Sequence, residues 1–400
     1  MLVRLAKVLL LCAMSGGLCI PAQANTTVPS YGAIPLQVQT DLAVPPPSFD
    51  IPSLSSPSRL APRIALLLPL RSSALLEAAN AVRAGFIAAQ EREQDDAIVD
   101  VIDTGDTPPD ILDAYQQALV HHDIIVGPLS RSAVTALVQG NVVNRPTIAL
   151  TQPEMPAEGE LKMPPQLLAI GLSIEDEARQ AANWAATDKK SAKAFVISTA
   201  ATWQRRAANA FVAQWQQKGR EAQAVELPAS GGYLEARALM ELKDRLQADT
   251  PALIFVALDA RQAKQVRAAV GNQLPMYGTS QLNPLALPDW ETAERTAELD
   301  GARFIDMPWQ LPTDSPAVMG YARMGTSGGE VRSADLERLY ALGIDAWRIA
   351  HEIAENRTSF ELDGVTGKLK VRFGEGVPAF SRTEEQAVYR RGAPVMANQH

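Results

Sequence analysis

The 400-residue chain is poor in cysteine and histidine, with two of the first and four of the second, and both cysteines, Cys12 and Cys19, fall in its first 24 residues. Beyond that segment no thiol is available for a disulfide, a nucleophile or a metal ligand. His121, His122, His351 and His400 make no metal-spaced pair with one another or with a carboxylate on one helix face, so no metal site is expected. Clustered cations are also missing. The formal net charge is −8, and setting aside Arg4 and Lys7 in the leader leaves −10 for the rest. Neutralising phosphates needs grouped Lys and Arg, so this balance argues against a nucleic-acid partner and against docking on anionic lipid. No apolar run after the leader is long enough to span a bilayer.

What is present begins with an address. Arg4 and Lys7 precede an apolar run from Val8 to Ile20, and Ala22-Gln23-Ala24 follows. This is the charged, apolar and small-residue order of a secretory signal peptide, with cleavage expected after Ala24. The run is too short for a comfortable transmembrane span. Lipidation at Cys19 would need a small residue just before it, and Leu18 stands there, so plain cleavage is the expectation. The next stretch, 25–62, holds Pro29, Pro35, Pro45, Pro46, Pro47, Pro52, Pro57 and Pro62 among Ser and Thr. It reads as an extended tether or a disordered leader.

From Arg63 the grammar changes. Ile64 to Leu68 is a continuous apolar run stopped by Pro69, which suits a strand buried on both faces. Leu75, Ala79, Val82 and Phe86 recur at helical spacing, with Ser73 the expected N-cap. Strands are then predicted at 98–102, 124–126 and 148–150, separated by helices opening at Pro109 and Ser130. A second series follows Leu167, with a capping-box start at Ser173 and strands at 194–198, 225–227 and 253–257. The helix from Ser333 to about Asn356 carries Leu336, Leu339, Gly343, Trp347, Ala350 and Ala354 along one stripe. Short apolar strands alternating with helices are βα units of parallel sheets. The fold class is therefore α/β, with two doubly wound parallel-sheet lobes and a cleft between them. Ligands of such sheets sit beyond the carboxyl ends of the strands.

Three motifs tempt a catalytic reading. Gly325-Thr326-Ser327-Gly328-Gly329 has the G-x-S-x-G pattern, with Asp345 and His351 following. A nucleophile elbow needs a buried strand before it and a helix straight after, and neither is predicted. Asp345 and His351 share one predicted helix but point about 120° apart, too far for a direct bond. Asp103-Thr104-Gly105 matches an aspartic-protease triplet, yet that chemistry needs two carboxylates sharing a proton. Gly364-Val365-Thr366-Gly367-Lys368 lacks the spacing of a phosphate loop and reads as a turn. No catalytic set and no cofactor is expected. The ligand-binding candidates are the strand-end residues Ser130, Arg131, Ser132, Thr151 and Gln152, where helix-start N–H groups and hydroxyls could fix a carboxylate. Capping by Ser130 is the plainer role.

The runs Ile64–Leu70, Val101–Asp106, Val126–Leu129, Leu172–Arg179, Ala208–Phe211 and Leu336–Trp347 together resemble the penicillin-binding-protein activator (LppC-type) family, in its carboxyl-terminal domain. The order of elements from Arg63 to about Val395 is similar to the type I periplasmic-binding-protein fold, and Asp363–Leu369 with Val388–Gly392 resembles the way branched-chain amino-acid receptors end. The resemblance implies lobe 1 from 63–168 plus about 279–357, and lobe 2 from 169–278 plus about 358–395. It implies a non-enzymatic periplasmic regulator, associated with the outer membrane, that binds a class A penicillin-binding protein and stimulates peptidoglycan synthesis. Larger members carry an amino-terminal helical-repeat domain, whose place a Pro-rich tether is too short to fill. The alternative is a periplasmic solute-binding protein of an amino-acid-type ABC transporter, closing on a small solute. A third reading is a hydrolase using Ser327. A cleft filled by side chains would favour the regulator; an open polar cleft would favour the solute binder.

Overall fold

The computed structural model describes residues 61–154, 161–188, 193–283, 297–324, 333–374 and 376–397. The expected signal peptide, Cys19, nearly all of the Pro-rich stretch and the Gly325–Gly329 motif with Ser327 lie outside them.

The first lobe opens with β1 (Arg63–Leu68), α1 (Leu76–Glu93), β2 (Ile98–Asp103), α2 (Pro108–His121), β3 (Ile124–Val126), α3 (Arg131–Gly140), β4 (Thr147–Ala149) and β5 (Leu167–Ala169). These strands form one parallel sheet in the order β2-β1-β3-β4-β5. Ile64 to Leu68 are all buried, as a strand covered by helices on both faces requires. Helix starts follow local chemistry: Thr107 accepts the Asp110 N–H ahead of Pro108, and Ser130 accepts the Ala133 N–H, both at 3.4 Å. Ser73 is not the cap of α1. The N-cap is Leu75 without a side-chain bond, because the preceding turn uses Ser72, whose hydroxyl accepts the Leu75 N–H and donates to Asp106.

The second lobe holds α4 (Ile174–Asp188), β6 (Ala194–Ser198), α5 (Thr202–Gln217), β7 (Ala222–Glu226), a small hairpin of β8 (Ala229–Ser230) and β9 (Tyr233–Leu234), α6 (Ala236–Asp249), β10 (Leu253–Val256), α7 (Ala260–Val270), β11 (Met276–Gly278) and β12 (Arg303–Asp306). Its parallel strands run β7-β6-β10-β11-β12, which repeats the strand order of the first lobe. After β12 come the short α8 (Pro316–Met319) and the long α9 (Ala334–Ala354), then β13 (Ser359–Asp363), β14 (Lys368–Arg372) and β15 (Ala379–Thr383) as an antiparallel three-stranded sheet. Finally β16 (Glu385–Arg390) and β17 (Ala393–Met396) extend the second sheet antiparallel to β12.

Helix α9 was expected to bury one stripe. It is buried nearly all round, from Tyr340 to Ala350 with only Arg348 partly exposed, while Leu336 and Leu339 are half-buried. It fills the first lobe's core together with α1, Trp309 and the β13–β15 sheet. Strand pairing puts 303–306 in the second sheet, and core packing puts Val365, Leu369, Val371 and Phe373 in the first. We therefore propose that the chain crosses between lobes near Gly171, Met307 and Glu384, instead of near 168, 279 and 358.

Candidate functional site

The strands of the first lobe end in loops that carry Arg131, Thr151 and Gln152. Facing them are the start of α4, the start of α5, Ser280–Gln281 after β11, and the first turn of α9. Between these lies a cleft of about 880 Å³. Of the five residues expected to bind a ligand, Arg131, Thr151 and Gln152 line it. Ser130 is half-buried and caps α3, and Ser132 is exposed on that helix; neither is a lining residue. The Arg131 Nε donates to the Gln152 carbonyl at 3.4 Å. The close approach of the first crossing to this loop requires glycine: a Cβ on Gly171 would sit 2.4 Å from the Thr151 Cα.

The opposite wall was not anticipated. Trp203 and Arg206 come from α5, Glu175, Asp176, Glu177 and Arg179 from α4, and Asp335 and Arg338 from α9. Arg206 pairs with Glu175 at 3.2 Å, and Arg179 with Asp176. The cleft is thus walled by both charge signs with Trp203, Met163 and Leu172 between them, and it is not filled by side chains.

Its floor is a buried ionic cluster at the joint between the lobes. Arg338 is 6% exposed and reaches Asp306, which is fully buried, at 3.5 Å, and the Ser280 carbonyl at 3.4 Å. Asp306 also accepts from Asn283 at 2.8 Å and from the Met307 N–H at 2.9 Å. Glu177 accepts the Ser280 N–H at 2.8 Å. Burial pushes the Glu177 carboxyl up to about 7, against the Ser280 N–H, with Asp306 raising it further and Arg338 holding it down. Burial lifts Asp306 as well, opposed first by Arg338. Burial disfavours the Arg338 charge, but Asp306, Glu177 and Asp335 outweigh it and leave the guanidinium above its ordinary value. One sequence signal for this floor existed: Glu177 sits on the alanine face of α4 beside the buried Ala178, Ala181 and Ala182, where an unpaired acid is costly.

The tempting catalytic residues are engaged elsewhere. Asp345 accepts from the Val365 N–H at 3.0 Å and from the Thr366 N–H and hydroxyl at 2.8 and 2.6 Å. His351 pairs with Asp95, and His122 bridges the Ala118 carbonyl and Asp100, each at 2.9 Å. Asp259 caps α7 by accepting the Gln262 N–H at 2.8 Å.

Two parallel-sheet lobes with a cleft between them define a fold class, and sequence comparison refines it. The family described as "LppC putative lipoprotein" matches residues 57–375. The chain belongs to this family. A relative from Pasteurella multocida, "Penicillin-binding protein activator LpoA", is 30% identical over 314 residues, which is 77% of this chain and 50% of the relative. The chain thus spans about half the length of the curated relatives it matches. Among solved structures, the "LpoA (YraM) C-domain from Haemophilus influenzae, a regulator of PBP1A" superposes with a TM-score of 0.65 at 25% identity, covering 84% of this chain and 99% of that one. A protein of Chromobacterium violaceum described as "a putative branched-chain amino acid ABC transporter" gives 0.64 at 33% identity, with 82% and 99% covered. The fold is the expected one, of the type I periplasmic-binding-protein-like class.

Proposed function

We propose that this member of the LppC family is a non-enzymatic regulator of peptidoglycan synthesis that binds and modulates a class A penicillin-binding protein. The observation that carries this reading is the family match across nearly all of the folded chain, joined to relatives named as activators. The engagement of Asp345 with Val365 and Thr366, and of His351 with Asp95, favours binding over catalysis. Among the described residues, no helix is long and apolar enough to cross a membrane. The leader sequence supports export to the periplasm, and the family description, a lipoprotein, supports association with a membrane there.

The test uses a purified class A penicillin-binding protein and the full chain. Saturable binding together with a faster glycan-polymerising or transpeptidase rate is the expected result. Binding without a change in rate would reduce the role to docking, and no binding at micromolar concentration would overturn it.

A second reading is kept alive by the unfilled, mixed-charge cleft of about 880 Å³. In that reading the lobes close on a small solute. A ligand at 100 times its dissociation constant stabilises by about 2.7 kcal/mol, so a thermal-shift screen with amino acids and short peptides reads it directly. Silence across the screen removes it.

A further inference from the structure

Each of the three crossings between lobes brings one buried carboxylate to the same place. Glu177 follows the first crossing at the start of α4, Asp306 ends β12 at the second, and Glu384 is the crossing residue of the third. All three are under 10% exposed: 7%, 0% and 8% respectively. Two guanidiniums face them. Arg338 enters from α9, and Arg382 comes from the end of β15, donating to the Ile170 carbonyl at 2.8 Å, to Gly171 at 3.0 Å and to the Thr366 hydroxyl at 2.9 Å. The cluster therefore spans the joint, and its carboxylates outnumber its guanidiniums by one.

The surplus falls on particular groups. Asp306 has Asn283, the Met307 N–H and Arg338 to hold its charge. Glu384 is poorer in donors: among the described residues its side chain accepts only from the Gln180 amide, at a marginal 3.5 Å. Glu177 has the Ser280 N–H. Burying a carboxylate with so few donors is costly unless it is neutral.

We propose that this cluster is a proton-linked hinge: Glu177 and Glu384, both under 10% exposed at the joint, hold a proton while the lobes keep the arrangement seen here, and release it when the lobes swing apart and the two side chains become fully solvated. The electrostatics agree in direction. Burial and then Glu177 raise Glu384 well above the ordinary carboxylate range, with Arg382 opposing, and burial takes Glu177 to about 7. The other charged groups around them are fixed partners of the hinge: Asp176 on α4, Asp335 and Arg338 on α9, Asp306 on β12, Arg382 on β15, and Asp345 acting on Arg382. Solvated in an opened joint, Glu177 returns toward its ordinary 4.5. The closed arrangement then binds more protons than the open one, and rising pH favours opening. From about 4.5 to about 7 the closed-to-open ratio falls by about tenfold per pH unit for a proton released from Glu177. The device does not depend on which partner or solute the protein meets.

The experiment measures the radius of gyration of the full chain by small-angle scattering from pH 5 to pH 8, for the wild type, Glu177→Gln and Glu384→Gln. A glutamine imitates the protonated carboxyl and can still accept the Ser280 N–H. The wild type should expand across this range, and both variants should stay compact at pH 8. A wild-type radius constant from pH 5 to pH 8 overturns the proposal even where stability varies with pH. A variant that expands as the wild type does overturns it too. If one variant does not fold, the other decides.

Discussion

Gly85 of α1 and Gly343 of α9 mark the point where the two helices come closest. A Cβ on Gly85 would lie 1.9 Å from the Tyr340 carbonyl oxygen, and one on Gly343 would lie 2.2 Å from the Val82 carbonyl oxygen. Neither helix can give way, because α9 is buried on almost every side. Phe86 packs edge-on against Trp347 one residue along, with ring centroids 5.3 Å apart. Overpacking a core of this kind costs about 1–3 kcal/mol. Gly85→Ala and Gly343→Ala should each lower the unfolding free energy by that amount, read as a lower urea midpoint with the slope unchanged, and a neutral result would show that the helices part easily.

Asp345 is fully buried and is held by two backbone N–H groups and one hydroxyl of the Val365–Thr366 turn. It fastens the β13–β14 hairpin to α9. Asp345→Ala orphans those donors, each worth about 1–3 kcal/mol when buried unpaired. The variant should lose stability and expose 359–373 to proteolysis before the rest of the first lobe. Simultaneous cleavage everywhere would deny the hairpin this local anchor.

Ser130 and Arg131 are neighbours with different duties. Ser130 caps α3, so Ser130→Ala should cost about 1 kcal/mol whatever solute is present. Arg131 lines the cleft and has no carboxylate partner among the described residues. Arg131→Ala should leave stability within about 0.5 kcal/mol, as surface changes usually do. If a solute stabilises the protein, only the arginine variant should blunt that shift. A blunted shift in Ser130→Ala alone would reverse the two roles.

Much of this fold can be read from local chemistry. Continuous apolar runs such as Ala194–Ser198 are buried strands because helices cover both faces, and Ser130 and Ser333 begin helices because their hydroxyls satisfy free N–H groups. The β13–β15 sheet was legible in principle. Phe360 and Leu362 alternate with Ser359, Glu361 and Asp363, and Leu369 and Val371 with Lys368, Lys370 and Arg372, on either side of the Gly364–Gly367 turn. The site was half legible for a physical reason. Loops at the ends of βα units can be placed from the order of elements, which gave Arg131, Thr151 and Gln152. The facing wall and the ionic floor arise from separate elements brought together by the fold, such as Glu177 with Ser280, 103 residues apart. Nothing in Leu336–Tyr340 alone says that Arg338 turns inward to meet Asp306, since an arginine between apolar residues on a helix ordinarily reaches solvent.

Arg338 gives the sharpest test of that buried floor. Its hydrogen bonds among the described residues are all long, at 3.4–3.5 Å, and its Nε has no hydrogen-bond partner among them. Such loose geometry says that the guanidinium serves as a counter-charge more than as a hydrogen-bond donor. Removing it should therefore cost through the acids left behind, about 3–5 kcal/mol for a broken buried pair. Arg338→Met keeps much of the side-chain volume and isolates that charge effect. Asp306 and Glu177, both raised by burial and both held down by Arg338, would rise further in the variant. Their protons would then be retained in the folded state and lost on unfolding over a wider span, so the variant's stability should fall more steeply than the wild type's as pH rises from about 4.5 through 7. Unfolding curves at pH 5 and pH 8 measure this. A penalty equal at both pH values would mean that Arg338 matters for packing alone. Adding Asp306→Asn to Arg338→Met should then recover part of the loss at pH 8 and little at pH 5, because only at the higher pH does the second change remove a buried charge.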